Sequence, residues 1–342
     1  MALLATGEHI SGTLLAMALH ALGVAAISLT GAQAGIRTDP ARVRQELERG
    51  RVVIVAGFQG ATHESVASAE TTTLGRGGSD TTAVALAARL AADRCEIFTD
   101  VEGIYTADPR VVPQARLLPS IGYEEMLELA GQGAQVMQAR AVELGWVNGV
   151  EIAVRSTFSD HPGTLIREER DVEQLNKVRG VAHDRNVAKL TLLAVPDRPG
   201  VARRVFEPLA AEGVNIDLIV QNVSHAGTTD VSFTVNATDL ARARRVLEPV
   251  VAELGAEGLT ADSDVAKVSI VGAGIRSTPG YAAQMFGALA DAGINIEMIS
   301  MSDIRITCII AEPQVEAAAR ALHAAFQLEQ PEQPEQPADE PG

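Results

Sequence analysis

Cysteine is nearly absent from this chain of 342 residues: Cys95 and Cys308 are the only two. Each sits in an apolar run far from the other, so the sequence predicts buried free thiols in a reducing cytosol rather than a disulfide framework. Aromatic residues make up 3% of the chain, and 28 Lys and Arg face 44 Asp and Glu, giving a net charge of −16 with no basic run. That balance argues against nucleic acid and against an anionic membrane surface, and leaves small molecules and other subunits as expected partners. The seven histidines show neither HxxxH nor CxxC spacing, so no protein-built metal site is expected. The opening stretch MALLATGEHISGTLLAMALHALG is apolar, yet Glu8, His9 and His20 interrupt it and no basic segment leads it. It reads as neither a signal peptide nor a membrane span.

What is present centres on Thr71–Arg110. Gly75-Arg76-Gly77-Gly78 runs into Ser79-Asp80 and an apolar-periodic helix through Asp93. Glycines allow close backbone approach, and the free N–H groups of a helix start favour an anion such as phosphate. Taken alone, such a turn reads equally well as a plain connection. Cys95–Val101 follows as a buried strand ending in Thr99-Asp100-Val101-Glu102-Gly103-Ile104-Tyr105-Thr106-Ala107-Asp108-Pro109-Arg110. Polar residues, an aromatic and an arginine after a strand suit a nucleotide pocket at the carboxyl edge of an α/β sheet.

In chain order, the pattern predicts a helix over 8–22 closed by Gly23, a strand over 25–29, a helix over 40–49 with proline in its first turn, and a fully buried strand over 52–58. A polar loop covers 59–69. Helices over 123–134 and 135–146, a strand over 150–158, a Pro162-Gly163 turn and a last strand over 164–166 complete an α/β domain with a mostly parallel sheet sandwiched by helices. Glu168–Val178 reads as a charged linker. Pro199–Ile219 then aligns without gaps on Pro279–Ile299, each copy carrying the order βαββαβ of a ferredoxin-like unit. The tail EQPEQPEQPADEPG is acidic and proline-rich, which predicts disorder. The expected domains are 1–167, a linker over 168–186, duplicated modules over 187–263 and 264–328, and the tail over 329–342.

TTLGRGGSDTTAVALA followed by EIFTDVEGIYTADPR resembles the aspartokinase members of the amino acid kinase family. The duplicated module, with VRGVAHDRNVAKLTLLAVPDRPGVA, NIDLIVQNVS and GINIEMISMSDIRI, resembles their paired ACT domains. The resemblance covers nearly the whole chain and implies an amino acid kinase-type α/β domain followed by ACT domains. It also implies transfer of the γ-phosphoryl of ATP, carried with Mg²⁺, to the side-chain carboxylate of L-aspartate. The acceptor is already ionised near neutral pH, so positioning and cations matter more than a general base.

On this resemblance Arg76 pairs its guanidinium with the α-carboxylate of aspartate, Asp80 is the catalytic aspartate, and Thr6 and Ser79 join the substrate site. Glu8 is either a contact to the substrate's ammonium group or simply a helix-start carboxylate. Thr99, Asp100, Tyr105, Asp108 and Arg110 hold the nucleotide, with Gln135 where the family commonly has lysine. The family's lysine-glycine opening, KxGGTS, is not found ahead of the first helix, and a short hairpin between Asp39 and Pro40 is missing. Lysine or threonine is the implied effector, held near Asp197, Gly200, Ala202, Asp217, Gln221, Asn295, Ile296 and Ser302. Asn215 and Asn295 read equally well as strand-start turn residues. The implied assembly is a homodimer or an α2β2-type oligomer through the ACT domains, in the cytoplasm. The alternative is a non-catalytic amino-acid-sensing subunit that partners a complete kinase chain.

Overall fold

The computed structural model describes residues 2–36, 39–61, 71–73, 77–133, 136–168, 178–222, 227–273, 275 and 279–330. The chain forms two compact units, Met1–Tyr105 with Leu117–Val172, and Thr106–Arg116 with Glu173–Gly342. Among the described residues no helix is long and apolar enough to cross a membrane.

The first unit runs α1 (Ala2–Ala21), β1 (Ala26–Leu29), α2 (Ala41–Glu48), β2 (Val52–Val55), β3 (Gln59–Ala61), β4 (Thr71–Thr73), α3 (Gly78–Leu90), β5 (Cys95–Thr99), β6 (Ser120–Gly122), α4 (Tyr123–Gly131), α5 (Ala139–Asn148), β7 (Ile152–Ser156) and β8 (Thr164–Arg167). β1 and β2 pair in parallel, and β3 and β4 form an antiparallel ribbon. The remaining strands form a sheet in the order β5-β7-β8-β6. There β5 runs parallel to β7 and β6 to β8, while β7 and β8 are antiparallel. The reversal between β7 and β8 needs Gly163. Its φ is 78°, and a Cβ there would lie 2.0 Å from the Val154 carbonyl oxygen, so a side chain would be both strained and blocked. α3 packs along α5, burying Thr82, Val84 and Ala87 on one helix and Ala141, Val142 and Gly145 on the other.

Several expectations are corrected here. The strand expected over 52–58 stops at Val55 and is not fully buried, with Val52 42% exposed; β1 is its strand partner, and Phe58 turns away with φ 63°. The expected buried strand over 95–101 is half open: Cys95 is buried, whereas Phe98 is 55% exposed and lies beneath the Arg155 guanidinium at 5.7 Å. α3 ends at Leu90 rather than Asp93 because Ala91 adopts the left-handed conformation.

The second unit contains β9 (Gly180–Asp184), β10 (Ala188–Pro196), α6 (Val201–Ala211), β11 (Ile216–Gln221), β12 (Thr228–Val235), α7 (Leu240–Leu254), β13 (Gly258–Asp262), β14 (Val265–Val271), α8 (Tyr281–Asp291), β15 (Met298–Met301), β16 (Arg305–Ala311) and α9 (Val315–Ala325). Its sheets have the orders β11-β12-β10-β13 and β15-β16-β14-β9, the related arrangement that the duplication predicts. Each has its own apolar core, one around Leu190, Leu209, Phe233 and Leu247, the other around Val268, Met285, Cys308 and Leu322.

The linker expected over 168–186 is interrupted by structure. Gly180–Asp184 is β9, paired antiparallel along β14, and it fills in the second module the place that β13 fills in the first. The second copy therefore does not end on its own strand, and the first copy is inserted between β9 and β14. Thr106–Arg116 also joins the second unit, placing Ala107 and Val112 in the core of the second module. Residues 169–177 and 331–342 lie outside the described residues.

Candidate active site

Among the described residues helix α3 opens on Gly77 and Gly78 without a side-chain cap, and the positive end of its dipole favours an anion there. Gly77 has φ 72°, and a Cβ on it would lie 2.5 Å from Gln138 Cβ. Gly77→Ala is expected to cost about 2–4 kcal/mol, from left-handed strain together with overpacking. A thermal melt of the purified variant tests this, and a midpoint equal to that of the parent would show that the turn can relax.

The Ser79 hydroxyl donates to Glu8 Oε1 at 2.7 Å. Because α1 begins at Ala2, Glu8 is not a helix-start carboxylate, and its described partner is this hydroxyl. Asp80 follows in the first turn of α3. Burial pushes its carboxyl above the usual range, while the backbone N–H groups of Gln138 and of Asp80 itself pull the other way. Gln138 is the N-cap residue of α5, so the start of α5 also addresses Asp80. Cys95 lies close enough that the Asp80 charge adds to burial in pushing its thiol up to about 11; at neutral pH it is an inert, protonated thiol. Glu8, Ser79 and Asp80 therefore share one constellation. Thr6 sits exposed on α1, two residues before Glu8. Arg76 and Gln135 lie outside the described residues.

At the end of β5, the Thr99 hydroxyl donates to Asp100 Oδ1 at 3.1 Å and the Thr99 carbonyl accepts from Thr157 N–H at 2.8 Å. The Tyr105 hydroxyl donates to Glu102 Oε2 at 3.3 Å, and burial first, then Glu102, pushes its phenol up. Thr164, fully buried on β8, fixes the loop between these residues. It accepts from Ile104 N–H at 2.9 Å and donates to the Leu118 carbonyl at 2.6 Å. Asp108 and Arg110 belong to the second unit. Arg110 chelates Asp108 through its guanidinium and its backbone N–H, and this arginine holds the Asp108 carboxyl below the usual carboxylate range.

In the second unit the expected effector residues are dispersed. Gly200 lines a groove of about 280 Å³ with Arg198, Pro199, Val201 and Arg204 at the start of α6, where Ala202 is exposed. Ile296 lines another, of about 390 Å³, beside Val220, Asn222 and Ser232, and Asn295, which precedes it in the chain, is exposed. Gln221 pairs with Val231. Asp197 N–H donates to the Gly227 carbonyl, and Ser302 N–H to the Arg305 carbonyl. Asp217 accepts from the Lys267 ammonium at 2.6 Å, and Lys189 reciprocates by binding Glu297.

Gln138, Thr164 and Lys267 are the residues that sequence reasoning missed. Gln138 acts through a backbone N–H, which no residue type reveals. Lys267 carried a signal, since an Ala-Lys pair begins β10 and follows the first residue of β14.

Comparison with known proteins follows this division. The family model described as the amino acid kinase family matches residues 1–156, and the ACT domain model matches 194–249 and 268–326. An aspartokinase of Pseudomonas aeruginosa is 48% identical over 343 residues, covering 96% of this chain and 82% of that protein. Crystal structures of E. coli aspartokinase III are 28% identical to this chain, one in complex with aspartate and ADP (TM-score 0.77, covering 93% of this chain and 74% of that one) and one with lysine and aspartate (TM-score 0.72, covering 94% and 74%). Identity at this level over most of both sequences, joined to the matches to the amino acid kinase and ACT models, places the chain in the aspartokinase family.

Proposed function

We propose that this chain transfers the γ-phosphoryl group of ATP to the β-carboxylate of L-aspartate at the start of α3. The observation that carries this reading is the constellation of Glu8, Ser79 and Asp80 beside an uncapped helix N-terminus. An anion must attack a polyanion, so the site has to hold both in line and offset their repulsion. The helix start receives negative charge, and Glu8, oriented by Ser79, is suited to the substrate's ammonium group. Arg76, inside the sequence turn Gly75-Arg76-Gly77-Gly78, supplies a fork for its α-carboxylate. Asp80 orients the cationic groups around the transferring phosphoryl. The segment from Thr99 to Arg110 receives the nucleotide, and Gln135 occupies the sequence position where the family commonly has lysine. Mg²⁺, carried with ATP, would be held largely by phosphate oxygens and water and would offset the charge of the transferring phosphoryl group.

The catalytic domain on this reading spans 1–167, and the ACT domains span 187–263 and 264–328, the second completed by β9. Lysine or threonine binds the ACT pair near Asp197, Gly200, Ala202, Asp217, Gln221, Asn295, Ile296 and Ser302 and shifts the kinase between states. The same domains assemble the chain as a homodimer or an α2β2-type oligomer. Support comes from relatives solved with aspartate, ADP and lysine. The test is ADP release by the purified chain with ATP, Mg²⁺ and L-aspartate, repeated at saturating lysine and threonine. Release that depends on aspartate is expected, together with a raised melting midpoint in one of the amino acids. No aspartate-dependent release from a chain that still binds lysine would instead identify an amino-acid-sensing subunit.

A further inference from the structure

His323 on α9 is 2% exposed, and its ring is used by neither the proposed chemistry nor the effector residues. Its Nε2 lies 2.9 Å from the Thr106 hydroxyl oxygen. That same oxygen accepts the Arg116 N–H at 2.9 Å, while the Thr106 N–H donates to the Arg116 carbonyl at 2.8 Å and the Thr106 carbonyl accepts from Val181 N–H on β9 at 2.8 Å. Thr106 thus closes both ends of the segment Thr106–Arg116. Having accepted from Arg116, its hydroxyl has its own hydrogen to give, and Nε2 is placed to receive it. Burial keeps the imidazole below its ordinary pKa, Glu329 works the other way, and Arg116 adds to the lowering. The ring is therefore neutral at pH 7. Its Nδ1 side faces Glu329 Oε2 at 3.8 Å, which favours the hydrogen on Nδ1 and the lone pair on Nε2. Two residues on from Thr106, Asp108 faces His183 on β9, which also meets the charges of Arg185, Asp184 and Glu316.

We propose that His323 is a positioning residue for nucleotide binding: by accepting the Thr106 hydroxyl hydrogen it fixes the Thr106–Arg116 segment, and with it Asp108 and Arg110. The proposal rests on the reading that Asp108 and Arg110 meet the nucleotide. Val112 and Ala107 anchor the segment in the core of the second module, and Arg320 donates to the Val111 carbonyl at 3.3 Å. These contacts hold the segment to the module, whereas the Thr106 hydroxyl, beside the Thr106 N–H bond to the Arg116 carbonyl, joins its two ends.

The experiment compares the full chain with His323→Leu, His323→Gln and Thr106→Val. It reads amide hydrogen exchange across 106–116, ADP affinity and L-aspartate affinity. Glutamine presents a side-chain oxygen near the place of Nε2, so it can still accept from Thr106. The expected result is faster exchange at Arg116 and Val181 and about tenfold weaker ADP binding in His323→Leu and Thr106→Val, the loss of one buried hydrogen bond. Aspartate affinity is expected to hold, and His323→Gln to restore both readouts. Thr106→Val, nearly the same shape, supplies the answer if His323→Leu fails to fold. Unchanged exchange, or equal losses for ADP and aspartate, would overturn the proposal. Asp108→Asn separates the underlying reading: if it weakens ADP while Thr106→Val does not, positioning by His323 is wrong and the nucleotide site stands. If neither weakens ADP, both fall.

Discussion

Replacing Asp80 with asparagine is expected to lower kcat for aspartate phosphorylation by about a hundredfold or more, while the melting midpoint stays level or rises. The two halves of this expectation have one cause. Burial raises the Asp80 carboxyl pKa, so holding the ionised form costs the folded state free energy that the unfolded chain does not spend. The sign follows: the native state binds the proton more tightly, so this residue's contribution falls as pH rises from the unfolded pKa through the higher folded one, and above both it is a net cost. Asparagine removes that cost and keeps an oxygen able to accept the Gln138 N–H. It also removes the charge that would organise cations around the phosphoryl group. A variant that melted earlier and lost activity in proportion would point to a structural carboxylate at a helix start. An active variant of unchanged kcat would remove Asp80 from the mechanism altogether.

The parts of this molecule that were legible in its sequence are those where neighbours in the chain are also neighbours in space. The Gly77-Gly78-Ser79-Asp80 turn announces α3 through its glycines and the apolar period that follows, and the duplicated Pro-Gly and Asn-Ile signals announce two ferredoxin-like modules. What stayed hidden depends on distant partners. Gly180–Asp184 is short and flanked by charge, and it becomes a strand because β14, far along the chain, offers it an edge. Thr106–Arg116 continues directly from the expected nucleotide segment, yet its Ala107 and Val112 find their apolar partners in the second module. Phe98 was expected to be buried from composition alone, but the sheet leaves that face open. His323 sits among Ala319, Leu322 and Phe326 on the buried face of α9, where a lone histidine gives no sign of the hydroxyl it meets. Glu8 and Ser79 were both named from the resemblance, and their hydrogen bond joins residues on separate helices.

Removing the Asp217 carboxylate is expected to destabilise the second unit by about 3 kcal/mol, the low end of the range for breaking a buried ion pair. The asymmetry of the pair sets this figure. The Lys267 side chain is 5% exposed, whereas that of Asp217 is 36% exposed, so Asp217→Ala strands a buried ammonium while Lys267→Met leaves a carboxylate that water can reach. Lys267→Met alone is therefore expected to cost less, and Asp217→Leu with Lys267→Met less than Asp217→Ala. Hydrogen exchange at the amides of β11 and β14 reads the loss directly, and equal costs for the two single variants would contradict the argument. Lys189 with Glu297 repeats the pairing in the opposite sense, so each copy's lysine holds the other copy's carboxylate, as a duplicated module paired about a pseudo-twofold axis would do. The arrangement also bears on the proposed effector site. An effector's ammonium group can reach Asp217 only by sharing it with Lys267 or displacing it. Lysine binding, measured by calorimetry, should then disappear in Asp217→Ala and strengthen in Lys267→Met, since the second variant removes the internal competitor and keeps the carboxylate. Binding unaffected by either change would take Asp217 out of the effector site and leave it as a clasp between the two modules.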